Sequence, residues 1–201
     1  MSSLFTKVGL CTYAEYERLF QEMANMGKES QYFVTSANLP YIRSNWEISQ
    51  RVKSSVVLFH SLNQLLLNLY YSYTWLVITE PWCMESAQNL PVIAAMAKVN
   101  PEKIRLLVVL KDQHPELMNK YLTNGNKAIP KVILINETRN VEEYTWGPRP
   151  APAQDLFLQW KRDNDTKSKR PFSVELNNWY KCDSSMTIQR EFKSFLQAFQ
   201  P

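Results

Sequence analysis

Apolar residues recur every three or four positions through the first seventy residues, and further on they gather into short continuous runs. That switch of period divides the chain. Tyr13, Tyr16, Leu19, Phe20 and Met23 share one face of a predicted helix, with Thr12 as its N-cap and Gly27 closing it. After a break at Asn38 to Pro40, a second helical stretch runs from Tyr41 to Tyr70. Its face carries Ile42, Trp46, Val52, Phe59, Leu62 and Leu66, and its weak point lies at Ser54 and Ser55. The run TWLVIT, Thr74 to Thr79, is β-branched and aromatic with no polar face, the pattern of a buried central strand.

From there helix and strand patterns alternate. A helix is expected over Ser86 to Lys98, a strand over Ile104 to Leu110, and a short helix over Pro115 to Leu122, followed by a loop at Asn124 to Asn126. Lys131 to Ile135 reads as a strand, with Glu142 to Trp146 as its antiparallel partner. The proline-punctuated segment Gly147 to Pro152 opens a helix from Ala153 to about Arg162. Two short outer helices, Val174 to Tyr180 and Thr187 to Phe199, complete the chain. The order predicts a mixed α/β sheet with right-handed crossovers. It divides into an N-terminal helical extension (1–72), an α/β domain (73–165) and a C-terminal helical extension (166–201), the N-terminal helices being expected to pack onto the sheet.

Composition narrows the class. With 201 residues, 45% hydrophobic and only 4 Gly, the chain can bury a core, and glycine-rich nucleotide-binding fingerprints are absent. The net charge of +4 is spread thinly. Its one basic concentration, Lys161 to Arg170, sets five Lys and Arg against two Asp, and we read it as a solvated helix end, with no nucleic-acid partner. Tyr13, Glu15, Glu17, Arg18 and Glu22 interrupt any signal-peptide pattern, and the apolar stretch Leu65 to Tyr71 is far short of the roughly 20 residues that span a bilayer. The three cysteines Cys11, Cys83 and Cys182 fit neither a zinc site nor a disulfide framework, and their odd count points to a reducing compartment. A cytoplasmic protein without a membrane partner is therefore expected. No metal site or cofactor is expected either, and His60 and His114 pair with no cysteine in the pattern of an acyl-transfer site.

The sharpest chemical feature is Pro81-Trp82-Cys83-Met84-Glu85-Ser86, placed where a buried strand ends and a helix begins. A thiol in the first turn of a helix sits near unpaired N–H groups and the positive end of the macrodipole, and both favour thiolate. The segment resembles the thioredoxin family, whose nucleophilic cysteine follows a Trp at such a turn. Pro91 lies eight residues after Cys83, as the family's helix-kinking proline does, Ile129-Pro130 precedes a strand as its cis-proline does, and Gly147 follows the second of two strands. The strings ITEPWC, AQNLPVIA, YLTNGNKAIPK and TWGPRPAPAQ are similar to those of a bacterial thioredoxin-like branch with an N-terminal helical extension. The resemblance implies a thioredoxin-like fold: a central mixed sheet flanked by helices, with helices added at both ends.

Two departures bear on mechanism. Ser86 stands where the dithiol enzymes carry their resolving cysteine, so Cys83 and Ser86 form a WCxxS site with a single thiol, and Val77 replaces the buried carboxylate six residues before the nucleophile. The resemblance then implies either a monothiol that exchanges with protein or low-molecular-weight disulfides and is resolved by an external thiol, or a redox-inactive module that binds partners in its groove. A peroxidase or sensor role lacks the motif that activates peroxide. By the same resemblance Trp82 flanks the thiol, Ile129 offers its backbone to an extended substrate beside a cis Pro130, and Trp146 and Gly147 complete an apolar rim. Arg149 is expected to reach the groove and lower the pKa of Cys83 or hold an anionic group, with Lys127 as a weaker candidate, while Glu85 opposes thiolate formation. Cys11 and Cys182 are bystanders, and the sequence leaves the oligomeric state open.

Overall fold

The computed structural model describes residues 9–25, 38–163 and 171–201. The expected closing Gly27 and residues 164–170 of the basic run lie outside them. Five strands form one sheet in the order β1-β3-β2-β4-β5: β1 (Cys11–Thr12), β2 (Tyr73–Thr79), β3 (Ile104–Leu110), β4 (Lys131–Asn136) and β5 (Val141–Trp146). Strand β2 is central and buried along its whole length. It runs parallel to β3 and antiparallel to β4, which pairs antiparallel with β5 in turn. Because side chains alternate across a strand, Trp75 and Val77 enter one core, while Leu76 and Ile78 enter a smaller one with Leu117 and Met118. The latter two lie on helix α5 (Pro115–Lys120).

The larger core is built around helix α4 (Met84–Lys98), which links β2 to β3 and carries Pro91 in its interior. Leu90, Val92, Ile93 and Met96 are all at most 1% exposed although they point in different directions around the helix. A helix apolar on more than one face needs cover on both sides. The sheet covers one side, and helix α2 (Leu39–Ser55) covers another, with α1 (Tyr13–Asn25) packed on α2. The expectation that the N-terminal helices lie on the sheet holds for α1, which packs on β1 and β3 as well as on α2, whereas α2 chiefly covers α4; Cys11 and Thr12 join the sheet as an edge strand antiparallel to β3.

The long helix expected over Tyr41 to Tyr70 is two. It ends at Ser55, at the expected weak point, and resumes as α3 (His60–Leu67). The extended link is held by a residue far along the chain, since Gln189 accepts the Phe59 N–H at 2.8 Å and donates to the Val57 carbonyl at 3.1 Å. Gln189 belongs to α8 (Met186–Phe199), which follows α6 (Ala151–Asp163) and α7 (Phe172–Asp183). Helix α8 is more than an outer layer. Its Phe192 is fully buried, with its ring centroid 5.3 Å from that of Trp75 and 5.7 Å from that of Trp146.

Ile42 of α2 is fully buried in the core shared with α4. Ile42→Ala is expected to cost about 2–5 kcal/mol and to lower the midpoint of a single thermal transition that includes the sheet. Calorimetry showing two separate transitions, with the sheet's unmoved, would contradict a shared core.

Candidate active site

Strand β2 delivers its last residues to the turn Glu80-Pro81-Trp82-Cys83, and Cys83 is the N-cap of α4, with extended backbone at φ −86°. The turn is fixed by backbone and side chain together. The Cys83 N–H donates to the Glu80 carbonyl at 3.0 Å, and the Asn45 amide of α2 donates to the Pro81 carbonyl at 3.2 Å. Across the sheet end, the Ile129–Pro130 peptide bond is cis, and the Cys83 thiol donates to the Ile129 carbonyl at 3.3 Å. Gly147 closes the other side at φ +107°, where a Cβ would stand 2.2 Å from the Pro130 carbonyl oxygen. That combination of φ and contact admits only glycine. Cys83, Ile129, Pro130 and Gly147 are therefore brought together as expected from their positions in the chain.

Other candidates are placed differently. Trp82 is half-buried beside Cys83, and the Lys111 ammonium lies 4.6 Å from its ring centroid, a cation–π contact. Trp146 was expected on the groove rim, but it is core: it is 5% exposed and packs on Phe192, and its indole N–H donates to Glu191 of α8 at 2.6 Å. Its side faces α8 because it pairs with Val132, whose side chain enters the larger core. Arg149 does not spend its charge on the thiol. Its Nε donates to Glu85 at 2.5 Å and Nη1 to Gln154 at 3.0 Å. Lys127 is exposed, Cys182 is exposed, and Cys11 donates its thiol proton to Val108 within the sheet edge at 3.4 Å.

The electrostatics of Cys83 correct a second expectation. Burial is the largest influence and pushes the thiol pKa up. The Ser86 hydroxyl and N–H and the Glu85 N–H pull it down, while the Glu85 carboxylate adds to the rise. The net result is a thiol held above its ordinary range, because a cysteine only 8% exposed loses more by desolvation than a helix N-terminus returns. Ser86 is itself held, accepting a hydrogen bond from the Thr79 hydroxyl at 2.6 Å.

Two residues near the site escaped the sequence reading. Glu80 is buried at the end of β2 and accepts the Asp112 N–H at 2.7 Å, and its carboxyl is pushed up to about 7, chiefly by burial. Its place in the ITEPWC string, directly before the turn, was the available signal. Tyr16 of α1 is 3% exposed and bonded to Thr79. Its position on an apolar stripe carried no hint that its hydroxyl would end beside the site. Among the described residues no group of three or more His, Cys, Asp or Glu is arranged to hold a metal, and no helix is long and apolar enough to cross a membrane.

A mixed sheet whose central strand ends in a thiol at a helix N-terminus, opposite a cis proline, defines a thioredoxin-fold protein. Residues 34–166 match the family model described as Thioredoxin, and the chain belongs to that family. In fold it is similar to the protein of unknown function PA1234 from Pseudomonas aeruginosa, at 17% identity and TM-score 0.58, with 94% of this chain and 98% of that one covered. It is similar also to an HIV epitope scaffold, at 17% identity and TM-score 0.54, covering 94% and 99%. Both show the shared fold alone. No curated protein matches the sequence.

Gly147→Ala is expected to destabilise the protein by at least about 2 kcal/mol, because the added methyl meets backbone and the φ is unfavourable; urea unfolding measures it. Glu80 supplies a pH dependence. Its folded pKa of about 7 lies above its ordinary value of 4.5, so the protonated form is favoured by folding. Its contribution is present in full below the ordinary value and is lost as pH rises through about 7. Glu80→Gln keeps the acceptor for the Asp112 N–H and removes the buried charge. It is expected to raise stability at about pH 8 by on the order of 2 kcal/mol and to flatten the stability profile below it. An unchanged profile would contradict the assignment.

Proposed function

We propose that the protein is a single-thiol exchange protein in which Cys83 is the nucleophile and a second, external thiol resolves the mixed disulfide. The observation that carries this reading is the position of the Cys83 sulfur, at the N-cap of α4 and 3.3 Å from the Ile129 carbonyl on the cis-proline loop. A disulfide laid along that loop in extended form, its backbone pairing with Ile129, presents its sulfur to the thiol. Cys83 gives its proton to solvent, and the thiolate attacks one sulfur of the substrate disulfide. A Cys83–substrate disulfide forms, and the other sulfur leaves as a thiolate that takes up a proton. An incoming thiolate, from a small thiol or a protein, then attacks the substrate sulfur and returns Cys83, with no net electron gained or lost by the protein. Ser86 cannot take that second step. Its role is to favour the thiolate by hydrogen bonding, and Trp82 and Gly147 border the approach.

One observation favours a second reading, a redox-quiet binding module. The resting sulfur is protonated, buried and already donating to Ile129, so the same loop can serve partners that carry no disulfide. In that case the Ile129–Pro130 edge and Trp82 do the binding, and Cys83 is only a small buried side chain.

A Cys11→Ser/Cys182→Ser protein, with Cys83 as its one thiol, separates the two. Incubated with glutathione disulfide under native conditions, it is expected to form a mixed disulfide at Cys83 that dithiothreitol reverses, detected by intact mass. The rate is expected to keep rising past the pH at which a free cysteine is fully ionised, since burial holds the thiol above its ordinary range. Cys83→Ser abolishes the adduct. A Cys83 that stays unmodified in the folded protein at all accessible pH, while the exposed Cys182 of the natural chain reacts, sinks the exchange reading and leaves the binding module.

A further inference from the structure

The first turn of α4 faces the Ile129 loop on one side and the C-terminal helices on the other. Glu85, two residues after Cys83, has its side chain only 8% exposed. Its Oε1 accepts from Arg149, its Oε2 accepts from the Tyr180 hydroxyl of α7, and the Asn89 amide donates both to the Glu85 carbonyl at 2.8 Å and to the Tyr180 oxygen at 2.7 Å. Arg149 is fixed in its turn. Its guanidinium lies 4.5 Å from the Phe157 ring centroid and 5.9 Å from that of Phe172, residues of α6 and α7.

A carboxylate in such a place is costly unless every lone pair finds a donor. At the start of a helix a carboxylate normally reaches water. Here one is buried instead, beside a thiol whose ionisation its charge opposes, and a guanidinium and a phenol from other parts of the chain are turned on it. We propose that Arg149 and Tyr180 are positioning residues for Cys83: they hold and compensate the Glu85 carboxylate, so that docking of the C-terminal helices governs how readily the sulfur two residues earlier reacts. Arg149 acts through Glu85 and not on the sulfur. The other titratable groups around this turn are Tyr16 from α1, bonded to Thr79, Glu80 from the turn, on the Asp112 N–H, Lys111, over the Trp82 ring, and the buried Lys131 of β4, whose ammonium donates to the Gly147 carbonyl at 3.3 Å. The proposal rests on the exchange reading for its part in turnover, but thiol reactivity can be read without turnover.

The test is the pH dependence of Cys83 alkylation by iodoacetamide in the Cys11→Ser/Cys182→Ser background. Removing the carboxylate with Glu85→Gln is expected to lower the midpoint and to speed alkylation at about pH 8 by roughly three- to tenfold. Arg149→Gln is expected to slow it by a similar factor, Tyr180→Phe by less, and Arg149→Lys to restore most of the rate. The double variant Arg149→Gln/Glu85→Gln should behave as Glu85→Gln alone. Arg149→Gln strands a buried charge and is the variant most prone to unfold. Glu85→Gln leaves the Arg149 guanidinium, 12% exposed, without its carboxylate, whereas the double variant removes both charges and decides the matter where either single variant unfolds. An unmoved midpoint in Glu85→Gln overturns the proposal. So does a double variant slower than Glu85→Gln by the full Arg149 factor, since Arg149 would then act on the sulfur directly. If these shifts occur but no mixed disulfide forms with glutathione disulfide, the exchange reading fails and the positioning role stands. Mixed disulfides with unmoved midpoints fail the positioning role alone.

Discussion

Helix α4 has almost no side to give to water: along Met84–Lys98 only Lys98 is exposed, and Met84, Ala94 and Ala95 are half-buried. Such a helix is stable only when wrapped, because its apolar side chains stay hydrated until every face is covered. The sheet and helices α2, α8 and α7, the last through Asn177 and Tyr180, supply the cover from segments far apart in the chain. The two ends of the sequence are thereby committed to one hydrophobic unit. Ile42 and Phe192, 150 positions apart in the sequence, are fully buried in the same cluster as Leu90 and Ile93.

That wrapping decides the chemistry at the N-terminus of α4. An open helix end lowers a thiol's pKa through its free N–H groups. At Cys83 the same groups work against desolvation by the Ile129 loop and the opposing charge of Glu85, and burial prevails. The neighbourhood as a whole follows the rule that charge is admitted only with a partner: Glu85 with Arg149 and Tyr180, Glu80 with the Asp112 N–H and a raised pKa. The carboxylate missing at Val77 has a buried counterpart three residues on, at Glu80, but this one faces the Asp112 side of the sheet end.

Much of the fold was legible. The run Thr74 to Thr79, the strand Ile104 to Leu110 and the pairing of Lys131 to Ile135 with Glu142 to Trp146 follow from period and β-branching, and the structure places them within a residue or two. The thiol's place at a strand-to-helix turn could be read from the residues, whereas the Ile129–Pro130 loop and Gly147 were anticipated only through the resemblance to the thioredoxin family. The contacts of Trp146 and Arg149 could not be anticipated. Their neighbours in sequence, Gly147 and Pro148, mark the loop, whereas the direction each side chain takes is set by Glu191 on α8 and Glu85 on α4. The break between α2 and α3 was legible at Ser54 and Ser55, whereas its support was not, since a glutamine some 130 positions away satisfies its backbone.

The sequence by itself determined a buried-strand α/β core and a helix beginning at a lone cysteine. These are consequences of periodicity and of backbone sterics, which act over a few residues. The tertiary structure alone decided whether the thiol is exposed, which buried carboxyls find partners and what Arg149 is for. Desolvation and ion pairing depend on everything that packs within a few ångströms, and here those neighbours arrive from both ends of the chain.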